Sequence, residues 1–225
     1  MKIIATSDLH GHLPQIESCD ILIIAGDITP KALDGELEAQ KVWYREIFLV
    51  WANAVDCRDI VIVPGNHDML YTELFPDASK PYPWRADIAE QSKIIPLCNS
   101  LVELQGVTIY GTPALAKNKS KGEFTLSGDT LVQTLNMIPA RVDFLVTHNP
   151  PCGIEGLGYS IKKGIDKGSK ELTRAIENRD IRYVICGHAH EGNHREVVWR
   201  GKRLLNVSLC DGAKQPKNPP VTINI

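Results

Sequence analysis

VIVPGNHD, residues 61–68, is the stretch on which the reading of this chain turns. Four apolar residues run into a glycine turn that ends in Asn66, His67 and Asp68. A short continuous apolar run bounded by a turn is the pattern of a strand buried on both faces of a sheet. Its tip then delivers a neutral oxygen ligand, a titratable imidazole and a carboxylate, which is unusual chemistry for a plain turn.

Working outward, other strands end in the same way. Residues 2–6, KIIAT, break at Ser7-Asp8-Leu9-His10-Gly11, and residues 20–25, DILIIA, end in Gly26-Asp27. Residues 142–146, VDFLV, lead into Thr147-His148-Asn149-Pro150-Pro151, and residues 181–186, IRYVIC, into Gly187-His188-Ala189-His190. Six of the seven histidines fall in or beside these tips, and only His194, read as a surface residue, lies beyond them. The carboxyl ends of parallel strands line one edge of an α/β sheet, where such folds place ligands.

The segments between the tips predict the remaining layers. Residues 33–55 have Leu37, Trp43, Ile47, Val50, Trp51 and Ala54 near helical spacing, with charges between them, so an amphipathic helix is expected. Residues 69–84 are a proline-rich loop, a site lid or a surface-packed segment, followed by a short helix near 85–92. Residues 94–112 hold three short β-type runs with a tight turn at Gln105-Gly106, so the sheet is mixed. Residues 113–125, with Lys117, Lys119 and Lys121, form a solvated loop. Ser127 is the expected N-cap of a helix through Ile138 that buries Leu131, Val132, Leu135 and Ile138. Ser169 caps a second helix through Asn178, and further strands are expected at 204–207 and 221–225. One domain over residues 1–225 is the simplest partition.

Composition excludes several classes of function. A formal net charge of -2 gives no general attraction to nucleic acid or an anionic membrane, so phosphate recognition must be local. The six cysteines are scattered without a CxxC pair, as free thiols in a reducing compartment are. The N-terminus turns polar too early for a signal peptide, and no run approaches a membrane span, so a cytoplasmic location is expected.

Asp8, His10, Asp27, Asn66, His148, His188 and His190 offer seven O and N donors and no thiolate. That set suits divalent first-row ions such as Mn²⁺, Fe²⁺, Zn²⁺, Co²⁺ or Ni²⁺. Seven donors exceed the needs of one ion, whereas two ions roughly 3.5–4 Å apart that share a bridging carboxylate use them well. Such a pair can hold a hydroxide nucleophile and clamp phosphate oxygens.

Taken as an ordered series, D8-L-H10, G26-D27, G65-N66-H67-D68, T147-H148-N-P-P and G187-H188-A-H190 resembles the calcineurin-like metallophosphoesterase superfamily over residues 8–190. The HNPP block, the Gly-rich loop to Gly168 and GHAHEG followed by Leu205-Asn206-Val207-Ser208 are similar to its small MPPED-type branch, whose members act on phosphodiesters including cyclic nucleotides. The resemblance implies a four-layer α/β/β/α sandwich of two mixed sheets. It also implies a partition in which Asp8, His10 and His190 bind a first metal, Asn66, His148 and His188 a second, and Asp27 bridges. His67 is then left to face the scissile phosphate as a catalytic group, with Asp68 as its expected orienting carboxylate. The expected activity is hydrolysis of a small phosphodiester or nucleotide, with Mn²⁺ the ion for reconstitution. A phosphomonoesterase with the same site is the first alternative, and the residues flanking GNHD and THNPP are not the arginines that grip a monoester dianion in the large Ser/Thr phosphatases. A metal-binding module without catalysis is the second. Lys162, Lys163 and Lys167 in loop 153–168 are candidates for a phosphate contact, as is His12 for one near the substrate.

Overall fold

A computed structural model describes residues 1–83, 93–117, 121–160, 164–192 and 194–225. The first apolar runs form β1 (Lys2–Thr6), β2 (Cys19–Ile24) and β3 (Cys57–Ile62), which lie side by side and parallel. β4 (Ile94–Pro96) continues the sheet parallel to β3, while β15 (Val221–Asn224) closes its other edge antiparallel to β1. The second sheet contains β5 (Ser100–Leu104), β6 (Val107–Thr112), β9 (Arg141–Thr147), β12 (Asp180–Cys186), β13 (Val197–Trp199) and β14 (Lys202–Asn206), in the order β13-β14-β12-β9-β6-β5. Its inner pairs are parallel and its two edge strands antiparallel. The β5–β6 hairpin turns at Gln105-Gly106 with φ of 51° and 83°, both left-handed as a type I′ turn requires. Two short pairs complete the strands: β7 (Leu115–Ala116) with β8 (Thr125–Leu126), and β10 (Tyr159–Ser160) with β11 (Ile165–Asp166).

Alternation along each strand explains the layering. Ile3, Ile21, Ile23 and Val61 point to one side of the first sheet and meet Ile109, Phe144, Val146, Tyr183 and Ile185 of the second. Their sequence neighbours Ile4, Leu22, Ile24 and Ile62 point the other way, onto Trp43, Phe48 and Ala52. On the far side, Leu145, Val184 and Leu204 pack under α3 (Gly128–Asn136) and α4 (Lys170–Glu177) through Leu131, Leu135, Leu172 and Ile176. The result is the α/β/β/α sandwich of two mixed sheets that the resemblance implied. Full burial of each Ile or Leu contributes about 1.5–3 kcal/mol, so the doubly buried strands hold the site edge rigidly.

Two helix faces differ from the expected ones. The 33–55 helix is α1 (Leu37–Trp43), a π-helical turn Tyr44–Phe48 and α2 (Leu49–Ala54). The wider turn advances the buried face by one residue, so Phe48 and Ala52 face the core while Ile47 and Val50 are 49% and 65% exposed. In α3, Val132 is exposed, and Ser127 stands at the N-cap position without a capping bond, whereas Ser169 Oγ accepts from Leu172 N at 3.1 Å in α4.

Residues 69–83 are not a lid: Leu70, Tyr71 and Phe75 are buried against the outer face of the first sheet. The expected helix near 85–92, Lys119, Lys162 and Lys163 lie outside the described residues. All six cysteines are free thiols. Among the described residues no helix is long and apolar enough to cross a membrane.

Candidate metal centre

The two sheets are stitched together where β1, β2, β9, β12 and β14 end. Ser7 N donates to Val207 O at 3.0 Å across the sheets, while the bonds from Asp8 N to Gly26 O at 2.8 Å and from Gly187 N to His148 O at 3.0 Å join neighbouring tips within each sheet. These bonds carry the chain straight from strand to strand tip, leaving no room for gradual turns. Asp8, His10, Asp27 and His188 accordingly sit at φ of 51°, 44°, 54° and 63°. Left-handed backbone is costly for residues with a Cβ and persists where the surroundings over-determine it, as at functional sites. Two motif glycines have a steric reason: a Cβ on Gly65 would strike the Asp27 carboxylate and backbone, and one on Gly187 the Ser7 side chain and Asp8 carboxylate.

The predicted donors converge in two groups. In the first, His190 Nε2 is 2.9 Å from Asp8 Oδ1 and 3.2 Å from His10 Nε2. In the second, His188 Nδ1 is 3.1 Å from Asn66 Oδ1, and His148 Nε2 is 3.3 Å from Asp27 Oδ2. Asp27 Oδ2 is also 3.7 Å from His10 Nε2, so it stands between the groups. Asp8, His10 and His190 form one constellation with metal-ligand spacing, and Asp8, Asp27 and His148 another.

Several of the donors are aimed by a partner behind them. His148 Nδ1 meets the Ala25 carbonyl at 2.7 Å and His190 Nδ1 the Asp211 carbonyl at 3.0 Å, so each Nε2 faces the site. Asn66 Nδ2 donates to Lys121 O at 2.9 Å, which turns its oxygen inward. Asp8 accepts from Ser7 Oγ at 2.6 Å, Ser208 Oγ at 2.7 Å and His188 N at 2.9 Å. His148 Nε2 is buried without a hydrogen bond. Carboxylate, amide and imidazole ligand atoms crowded in this way fit a site built for cations.

The titration behaviour agrees. Burial alone would raise both carboxyls, yet His190 beside Asp8 and His148 beside Asp27 hold them well below the usual range. Burial pushes His10 and His188 down to about 3, so both are neutral donors at pH 7. His148 moves the other way: burial lowers it, but Asp27 raises it to about 9, so it holds a proton that a metal must displace. Mn²⁺ affinity of the metal-free protein is therefore expected to fall as pH drops from 9 to 7, by up to roughly tenfold per unit. Calorimetric titrations across that range check this, and a flat profile contradicts it.

Residues 1–192 match the family model for calcineurin-like phosphoesterases. The chain belongs to the calcineurin-like phosphoesterase family. It is 28% identical over 241 residues to human metallophosphoesterase domain-containing protein 1, an alignment covering 100% of this chain and 71% of the relative. Among solved structures, it is similar to TT1561 of Thermus thermophilus at TM-score 0.58 and 17% identity, covering 99% of this chain and 98% of that one. Phosphopantetheinyl hydrolase from Mycobacterium tuberculosis gives 0.55 at 16% identity, with 95% and 90% covered. These two likenesses concern the fold. The family is metal-dependent, and the Asp and His groups described above are this member's candidate ligands.

His67 of this family member points into the cleft with Nε2 3.8 Å from Asp27 Oδ2, and its backbone N donates to Asp27 Oδ1 at 3.0 Å. The carboxylate on its Nδ1 is Asp34, at 2.8 Å, and not Asp68 as expected. Asp68 faces the other way: it accepts from Thr29 N at 3.0 Å, Thr29 Oγ1 at 3.1 Å and Gly65 N at 2.9 Å, fully buried. It ties the GNHD turn to the chain after β2. Asp68→Ala strands two buried N–H groups at about 1–3 kcal/mol each, so we expect urea unfolding to show a loss of about 2–6 kcal/mol. An unchanged unfolding midpoint would contradict this role.

Sequence reasoning missed the residues behind the motifs. Asp34 follows the 3₁₀ turn Lys31–Leu33 and pairs with Lys31 as well as His67. Its only signal is an Asp-Gly turn. Gln40 is fully buried and donates to His67 O at 2.9 Å while accepting from Leu70 N at 3.1 Å, bracing the same turn from α1. His12 contacts the Lys214 carbonyl at 3.2 Å, and half-buried His194 meets Asn218 Nδ2 at 2.9 Å, so it is not a surface residue.

Proposed function

We propose that the chain is a dinuclear metal-dependent phosphodiesterase acting on small phosphodiesters, cyclic nucleotides among them. The observation that carries the reading is Asp27, one carboxylate oxygen of which faces His10 of one donor group and His148 of the other, with His67 beside it. In this reading Asp8, His10 and His190 hold one ion, Asn66, His148 and His188 the other, and Asp27 joins them. Bound ions there would supply an activated water and neutralise phosphoryl charge.

The chain's own groups do the rest. Asp34 fixes the His67 ring through Nδ1, which leaves Nε2 toward the cleft, where it can pass a proton to the departing oxygen. Asp27, His67, His188 and His190 line a cavity of about 240 Å³ that also contains Lys167 and Lys214. An adjoining hollow of about 550 Å³, lined by Ile154 and Tyr159, shares Glu191 with it. That second space gives a diester's other substituent somewhere to lie, which favours diester over monoester.

Turnover of bis-p-nitrophenyl phosphate should be absent from metal-free protein and restored by Mn²⁺, with kcat/KM above that for p-nitrophenyl phosphate. A preference for the monoester would overturn the diester assignment. No turnover of either ester with any divalent ion would overturn the enzyme reading.

A further inference from the structure

Lys214 lies outside every motif, yet its Nζ is 2.6 Å from His10 Nε2 and 3.2 Å from His190 Nε2. The segment bearing it is built to put it there. Asp211 O accepts from Lys214 N at 2.9 Å and from His190 Nδ1 at 3.0 Å, and Asp211 Oδ1 accepts from Ala213 N at 2.8 Å. His12 holds the Lys214 carbonyl from the other side. Lys214 itself has φ of 61°, a left-handed conformation unfavourable for a residue with a Cβ. Strain of this kind at a side chain aimed into a cleft points to function rather than packing.

The chemistry follows from lone pairs. With Nδ1–H of His190 committed to the Asp211 carbonyl, its Nε2 is the ring atom left to face a cation, and Asp8 Oδ1 lies only 2.9 Å away. His10 Nε2 is a further acceptor 3.2 Å off. An ammonium donating into this group supplies the cation these acceptors need, but it takes the lone pairs that a metal would use. The two occupations exclude each other. An ion at this position must release the ammonium, and its tether keeps it within the same cavity, beside Lys167 and His67.

Resting on the metal-centre reading above, we propose that Lys214 is a tethered cation of the first metal position. Its ammonium reaches the position that Asp8, His10 and His190 frame, gives way to an ion there, and then grips a phosphoryl oxygen of the substrate. It is a positioning residue for anionic oxygen, whether of a phosphoester or of free phosphate.

The test is calorimetry of the full chain: MnCl₂ into metal-free protein, then inorganic phosphate into the Mn²⁺-saturated protein, for wild type, Lys214→Met and Lys214→Gln. Both variants should take up as many Mn²⁺ ions as wild type, with one of the two sites about tenfold tighter and phosphate about tenfold weaker, the scale of one charge-assisted hydrogen bond. Lys214→Arg should retain most of the phosphate affinity. Either constant unchanged within about twofold in both uncharged variants overturns the proposal, as does loss of Mn²⁺ uptake in both. No Mn²⁺ uptake by the wild type as well would instead bring down the metal-centre reading with it.

Discussion

Asp27→Ala is expected to lower kcat on bis-p-nitrophenyl phosphate by about 10³-fold or more, a loss of about 4 kcal/mol of transition-state stabilisation. The size follows from its position. Asp27 is buried, stands 3.3 Å from His148 Nε2 and 3.7 Å from His10 Nε2, and so serves both donor groups at once. On the proposed reading its removal takes an anionic ligand from both ions, and it leaves His148 without the carboxylate that raises it. It also strips the His67 backbone N of its 3.0 Å acceptor, which loosens the turn carrying Asn66. Metal content should fall together with kcat, measured as Mn²⁺ per chain after dialysis. A variant that keeps two ions and wild-type turnover would show that Asp27 joins nothing.

His67→Ala should leave the Mn²⁺ content unchanged and reduce kcat by about 10²–10⁴-fold, the range for a positioned general acid. The structure supplies a sharper expectation, because the ring is oriented by Asp34 at 2.8 Å and not by its neighbour Asp68. Asp34→Asn should cost about 10–100-fold in kcat, as loss of an orienting carboxylate does. Stability should hardly move, since Asp34 lies at the surface edge of the cleft rather than in the core. The His67→Ala loss should also be larger for a diester with an alkyl leaving group than for one releasing p-nitrophenolate, which departs without a proton. Equal losses on both would rule out proton donation and leave His67 an electrostatic role only.

The contrast between Asp34 and Asp68 shows what the sequence could and could not reveal. Strand tips were legible because a strand buried on both faces reads as an unbroken apolar run, and the polar residues that end it stand out. Asp8, Asp27, His148 and His188 stand out in this way, and the parallel pairing of β1 with β2 and of β9 with β12 brings their tips to one edge of each sheet. Contacts made across the fold left no such mark. Asp34 reaches His67 over 33 residues from a 3₁₀ turn, and adjacency in sequence made Asp68 the natural guess. Backbone direction decided otherwise: Asp68 lies on the inner side of the turn, where Thr29 and Gly65 need an acceptor. The inward face of the 33–55 helix was misjudged for a related reason, since the π-helical turn at Tyr44–Phe48 has no signature in hydrophobic spacing. Lys214 sits in a tail segment after the last recognisable motif, and only the folded chain shows it against His10 and His190.

The account rests on two ions sharing Asp27, and anomalous diffraction at the manganese absorption edge from Mn²⁺-loaded crystals tests that directly. Two peaks roughly 3.5–4 Å apart are predicted, one against Asp8, His10 and His190, the other against Asn66, His148 and His188, with Asp27 between them. A single peak, or two that do not both touch Asp27, would contradict it.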